Sequence, residues 1–373
     1  MSGRLEWRRD RAHPRVFTAR SALPMAVSSP LRVLHVYSGN LYGGIETFLR
    51  ALAEERGQCP EMQPEFALCF EGRIADELRA SGAPLHMLGG VRLSRPWSVV
   101  RAQRNLAKVM RTRRPDVVVC HAAWPYAIFA SVVRAAKTRL VFYRHDIGNA
   151  RDWATILASR VNPDLVIANS AFTARRGHPP FPRTKSCTLS YVIRPTSASN
   201  SESIRSEIRK KLGIEPHEIV ILQASRMQWW KGQSLLVDAL AHLPLSVPWK
   251  CLFAGDAQRP DELSYVADLH RAVDVLGIGD RVSFLGQRAD VASLMSAADI
   301  FCQPNRTPEP FGIVFVEALS AGLPVVTTTI AGGALEILDE SCALTAKPTA
   351  SGVAAALLRP IEQRALRLAM RTE

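Results

Sequence analysis

The sequence predicts an α/β protein of two doubly wound, Rossmann-like domains facing each other across a central cleft. Three observations predict it. The chain has 373 residues, more than one hydrophobic core usually serves. Short β-branched or apolar runs alternate with segments of helical period, the pattern of a parallel sheet covered on both faces. The alternation breaks at a polar, Ser-rich stretch over residues 194–203 and then restarts. The break sets a first domain over 25–195, a linker over 196–203 and a second domain over 204–373. A composition of 47% hydrophobic and 22% charged residues excludes wholesale disorder and collagen-like repeats.

In the first half, residues 31–37 read as a strand. Residues 43–57 read as an amphipathic helix with Phe48, Leu49 and Leu52 on one face. Further strands are expected over 116–121, after the turn at Pro115, and over 139–145 and 165–169. In the second half, strands are expected over 218–224, 249–254, 281–285, 298–302 and 324–327, with a helix over 231–243. Ligands of such sheets sit beyond the carboxyl ends of the strands, so the site is expected between the domains.

The net charge of +13 is unevenly placed. Residues 25–200 carry 24 basic and 12 acidic side chains, and residues 201–373 carry 17 and 20. A basic first half suits an anionic partner. No nucleic-acid motif or aromatic–basic platform accompanies it, so nucleic acid is not expected. Arg101, Arg104, Lys108 and Arg111 would share one helix face, suited to peripheral contact with anionic lipid. Residues 1–24 are Arg-rich without an apolar core and are expected to be a disordered basic extension, with Met25 the expected start. The seven cysteines form no C-x-x-C pair, which points to a reducing, cytoplasmic compartment. The longest apolar run, over 122–133, is too short to span a membrane and contains Pro125.

The most informative stretch spans 309–324 and reads EPFGIVFVEALSAGLP. Pro310 and Gly312 make a turn, and a helix can begin near Phe311. Glu309 stays in the loop ahead of it, and Glu317 lies roughly two turns in, about 9 Å along the axis. The free N–H groups of the helix start lie between the two carboxylates and favour phosphate oxygens. A carboxylate, an anion site and a second carboxylate in line fit a sugar, a diphosphate and a ribose. A bare pair of glutamates at this spacing also occurs on ordinary surface helices.

Arg226 and Lys231 follow one expected strand and precede a helix, at the carboxyl edge of the second sheet. Two cations there could neutralise a leaving diphosphate. The neighbouring Trp229 and Trp230 could wall the cleft or pack in the core. The glycines in Ser38 to Glu46 let the backbone approach a ligand closely. The run is not G-x-G-x-x-G, so the dinucleotide fingerprint fails. No D-x-D triad is present, so a metal clamp on the diphosphate is not expected.

Taken together, the Tyr-Gly-Gly-Ile-Glu run at 42–46, Arg226 with Lys231 and Gly232, Gly255 with Asp256, the Phe-Leu-Gly run at 284–286 and the Glu309 to Glu317 block resemble retaining family 4 glycosyltransferases of the GT-B fold. The resemblance covers residues 31–360. It implies a hexosyltransferase that moves a sugar from a nucleotide-diphosphate-sugar donor to a glycan or lipid-linked acceptor, with retention and with no further cofactor. It implies Glu309 on the donor sugar hydroxyls and Glu317 on the ribose. Arg226 and Lys231 would hold the diphosphate with the Phe311, Gly312 and Ile313 segment, and Gly43 and Gly44 would border diphosphate and acceptor. His145 matches a first-domain histidine near the transferred sugar. Two other readings stay open: a nucleotide-sugar epimerase of the same fold, and a non-catalytic carbohydrate-binding relative. The chain departs from the family at 193–196, where members carry a Gly-rich hinge. It also has only residues 360–373 for the last helix that in relatives crosses back to the first domain.

Overall fold

The computed structural model describes residues 29–149, 151–176, 181–191 and 201–371. The extension expected over 1–24, the hinge at 193–196 and residues 196–200 of the linker lie outside them.

The first domain runs β1 (Leu31–Tyr37), α1 (Gly44–Glu54), β2 (Met62–Leu68), α2 (Arg73–Ala80), β3 (Leu85–Met87), α3 (Pro96–Arg113), β4 (Val117–His121) and α4 (Ala123–Ala135). It continues with β5 (Arg139–Arg144), α5 (Trp153–Ala158), β6 (Leu165–Ala168), α6 (Ala171–Arg175) and β7 (Ser186–Thr188). Its strands lie in the order β3-β2-β1-β4-β5-β6-β7, all neighbours parallel. The second domain runs α7 (Ser201–Lys211), β8 (Ile219–Ala224), α8 (Gln233–Leu240), β9 (Trp249–Ala254), α9 (Pro260–Val275), β10 (Val282–Phe284), α10 (Val291–Ala297) and β11 (Ile300–Gln303). Then follow α11 (Ile313–Ser320), β12 (Val325–Thr328), β13 (Ala343–Ala346), α12 (Ala350–Glu362) and α13 (Arg364–Ala369). Its order is β10-β9-β8-β11-β12-β13, again parallel. Each sheet carries a buried apolar layer on both faces, as the near-continuous hydrophobic strands require. Each sheet also reverses its winding once, between β1 and β4 and between β8 and β11, which opens a crevice at the strand ends.

The structure corrects several sequence expectations. The last three residues assigned to the linker, 201–203, open α7. Glu202 in its first turn and basic residues in its last turn complement the helix dipole. The helix expected over 231–243 starts two residues later, because Trp229–Lys231 forms a single 3-10 turn and Gly232 is left-handed. The donor-block helix starts at Ile313 rather than Phe311, because Gly312 takes a left-handed conformation before it. Glu317 therefore sits four residues in, about 6 Å along the axis. The short end of the chain stays on the second domain. Arg367 donates to the carbonyls of Pro360 and Ile361, and Arg371 to that of Gly322.

Gly232 fixes the turn that carries Lys231. Its φ is +80°, and a Cβ there would lie 1.9 Å from the Pro304 carbonyl oxygen. Gly232→Ala is expected to lower the melting temperature by ~5 °C or more, measured by thermal denaturation.

Candidate active site

The ten residues singled out in the sequence, namely Gly43, Gly44, His145, Arg226, Lys231, Glu309, Phe311, Gly312, Ile313 and Glu317, all line one cleft of about 550 Å³ between the domains. The second domain supplies the floor. Glu309 leaves β11 through a short loop and is held along its main chain. It donates to Ala331 O at 3.1 Å and accepts from Gly333 N at 2.7 Å. Its carboxylate meets Lys231 Nζ at 2.5 Å. Asn305 Nδ2 donates to the same Oε2 at 3.1 Å, and Gln303 Nε2 lies 3.4 Å from it. Oε2 is thus saturated, and Oε1 is the acceptor left for an incoming hydroxyl. Lys231 Nζ also sits 4.1 Å over the Trp230 ring, so Trp230 walls the cleft. Trp229 is 55% exposed beside Arg306.

Arg226 is pinned from behind by Glu262, at 3.0 Å. Glu262 is buried and also takes Gln228 Nε2 and Gln258 N. The Arg226 Nε–H is buried without a partner. Glu262 escaped the sequence reading because one glutamate near the start of a helix carries no signal of its own. Gln258 then joins the domains: it accepts from Tyr42 N at 2.9 Å and donates to Tyr42 O at 2.9 Å.

The glycine loop is held by Glu46 at the third helical position. Its carboxylate lies against Gly43 and accepts from Tyr37 Oη at 2.7 Å. Gly44 packs toward Ile313 across the cleft and toward Tyr191 of its own domain.

His145 ends a buried chain. Its Nδ1 lies 2.6 Å from Tyr191 Oη and its Nε2 2.9 Å from His121 Nδ1, while His121 Nε2 lies 2.9 Å from His35 Nδ1. The direction of these bonds follows from Asn169, which lies 3.2 Å from both the His145 carbonyl and Tyr191 Oη. A carbonyl only accepts, so the amide nitrogen faces both, which leaves the Tyr191 hydrogen for His145 Nδ1. With that bond made, each histidine carries its proton on Nε2, and the Nε2 of His35 has no partner among the described residues. Burial pushes His145 and His35 down to about 3, and burial together with the two neighbouring rings holds His121 well below the ordinary imidazole range. Both ring nitrogens of His145 are therefore taken. It reaches the cleft wall as a neutral ring that holds Tyr191, whose ring meets Phe311 of the second domain at 5.0 Å between centroids.

The comparisons with known proteins follow this geometry. Residues 204–373 match the family described as "Glycosyl transferases group 1" and residues 42–189 match "Glycosyltransferase Family 4". The chain belongs to the family 4 glycosyltransferases of the GT-B fold. It is 31% identical over 195 residues to the lipopolysaccharide core biosynthesis mannosyltransferase LpsB of Rhizobium meliloti, covering 52% of this chain and 53% of that protein. It is 31% identical over 264 residues to a GDP-mannose-dependent monoacylated phosphatidylinositol monomannoside mannosyltransferase of Corynebacterium glutamicum, covering 64% and 65%. The matched stretch thus spans between about half and two thirds of these relatives. Among solved structures, HepE of Anabaena in complex with UDP and glucose superposes with a TM-score of 0.76 at 26% identity, covering 92% of this chain and 93% of that one.

Burial pushes the Glu317 carboxyl up to about 7, with Arg50 opposing. The folded value lies above the unfolded one, so its stabilising contribution is full below about pH 4.5 and is lost as the pH rises toward 7. Glu317→Gln is expected to melt ~2–5 °C higher than the parent at pH 8 and alike at pH 4, followed by scanning calorimetry.

Proposed function

We propose that the chain is a retaining hexosyltransferase. In this reading it moves a sugar from a nucleotide-diphosphate-sugar to a glycan or lipid-linked acceptor in surface-polysaccharide or glycolipid biosynthesis. The observation that carries the reading is the floor of the cleft. One carboxylate has a single free oxygen, two cations stand beside it, and the open N–H groups of a left-handed turn lie between it and a second carboxylate. That order suits a hexose, a diphosphate and a ribose. The named activities of the relatives and the UDP and glucose bound by HepE support a donor of this class. They also favour transfer over epimerisation or a non-catalytic role.

In this reading Glu309 Oε1 accepts from the sugar hydroxyls, and Arg226 and Lys231 take the charge that grows on the diphosphate as the anomeric bond breaks. Such preorganised charge stabilisation, with no solvent to reorganise, lowers the barrier most where water is excluded. No carboxylate stands as an obvious nucleophile. Front-face substitution is the simplest course, with the leaving phosphate helping to deprotonate the acceptor hydroxyl and retention following from attack on the same face. Glu317 would take the ribose hydroxyls. His145 would act through Tyr191, as a shape-holding group rather than a base.

The donor is to be found by screening nucleotide sugars for hydrolysis or thermal stabilisation. On that donor, Lys231→Ala is expected to lower turnover well over tenfold, on the order of 10²-fold, in protein that still folds but melts at a lower temperature, because Glu309 loses its buried partner. Unaltered turnover would remove Lys231 from the site.

The reading extends to the cytoplasmic face of a membrane. No helix of the described residues is long and apolar enough to cross one. Arg101, Arg104, Lys108 and Arg111 are all exposed on α3, with Trp97 exposed at its start. Such a face suits anionic headgroups, with the indole at the interface. In liposome sedimentation the protein is expected to favour vesicles containing phosphatidylglycerol over neutral ones, and R104E/K108E to lose that preference. Binding indifferent to lipid charge would defeat the idea.

A further inference from the structure

The peptide unit between Pro310 and Phe311 joins the sugar-facing Glu309 to the open turn at Gly312. Its carbonyl does not point into the second domain that owns it. It points across the domain boundary to the start of α6, where Ser170 Oγ donates to Pro310 O at 2.5 Å and Thr173 Oγ1 donates to it at 3.1 Å. Both hydroxyls are buried, Ser170 at 1% exposure and Thr173 at 0%. Ser170 is also the cap of α6 and accepts from Thr173 N at 2.9 Å, and its one hydrogen has the nearer acceptor in Pro310 O, at 2.5 Å against 3.0 Å to Thr173 Oγ1. The next two amides of that helix, Ala171 and Phe172, bond the Glu336 carboxylate of the second domain. Gly333 leaves room for this meeting, since a Cβ there would lie 2.0 Å from Pro310 O and 3.1 Å from Ser170 Oγ.

A trans peptide is planar, with its C=O and the following N–H on opposite sides. Among the described residues no cis peptide occurs. Holding the Pro310 oxygen against α6 therefore aims the Phe311 N–H the other way, toward the cleft that both residues line. None of the described residues accepts a hydrogen bond from that N–H.

We propose that Ser170 and Thr173 are positioning residues for the donor: two first-domain hydroxyls hold the Pro310 carbonyl so that the Phe311 N–H is presented to a diphosphate oxygen. The role rests on the transferase reading of the cleft. It makes part of the second domain's anion site depend on a contact from the first. A peptide plane free to rotate would hand that N–H to water, and the diphosphate would have to orient it at its own expense. Neither hydroxyl touches the donor. Their effect reaches it through one peptide unit.

The test compares the whole protein with S170A/T173V, which removes both hydroxyls at nearly constant volume, and with the conservative T173S. Calorimetry with UDP, GDP and ADP finds the diphosphate that the parent binds, and ligand-detected NMR gives the affinity of its nucleoside. The double variant is expected to bind that diphosphate about tenfold more weakly and the nucleoside as before, while T173S keeps the parent's affinity. Unchanged diphosphate affinity overturns the proposal. Equal losses for diphosphate and nucleoside also overturn it, because they report only a loosened domain contact. Should the double variant not fold, the parent decides alone. Its ¹⁵N-labelled Phe311 amide must shift on adding the diphosphate and stay put on adding the nucleoside, and a stationary resonance overturns the proposal. A parent that binds none of the three diphosphates overturns the transferase reading beneath it. A parent that binds while the variants match it overturns only the role of Ser170 and Thr173.

Discussion

The short pair between Lys231 and Glu309 is the interaction on which the cleft depends. Both side chains are largely withdrawn from water, so each would be costly without the other. The pair ties the turn after β8 to the loop after β11, the two strands that flank the reversal of winding in the second sheet. Gly232 lets the first segment approach the second, and Asn305 and Gln303 satisfy the carboxylate from below. A buried pair of this kind contributes little net stability. Its value lies in a fixed geometry, with one carboxylate oxygen closed and one open.

The same logic recasts the charge of the chain. The surplus of basic residues lies in the first half, yet Arg226 and Lys231, the cations paired in the cleft, belong to the slightly acidic second half. Both are paired within the protein, Arg226 with Glu262 and Lys231 with Glu309. An entering anion must therefore share these cations with their carboxylates instead of meeting bare charge.

Strand pattern and motif residues were legible in the sequence where each lay within one continuous segment. β1 and β9 were expected at the bounds they take, and the others that were expected differ by a few residues at most. The missed strand β2 contains Pro64, which sits before β3 begins to pair at Phe66, so its lost N–H breaks no ladder on that side. β3 and β7 have three residues each, too few to show a period. The site residues were legible for the same local reason. The groups that support them were not, since they meet through register. His35 lies level with Val119, two before His121, and His121 lies level with Tyr143, two before His145. Three histidines thus climb one face of three neighbouring strands by steps of two, a staircase that exists only once the parallel register is set.

The domain contacts land on the segments that line the cleft and not on the surfaces beside them. Gln258 clasps the main chain of the glycine loop, and its own N–H rests on the Glu262 that pins Arg226. Tyr191 leans on Phe311 from the end of the histidine staircase. Ser170 and Thr173 hold Pro310. A change in the angle between the domains would disturb the cation, the ring and the peptide plane together. By the same coupling, a ligand that prefers their present arrangement must favour the closed cleft by the same free energy that closure adds to its binding. Donor binding and domain closure are then two descriptions of one equilibrium.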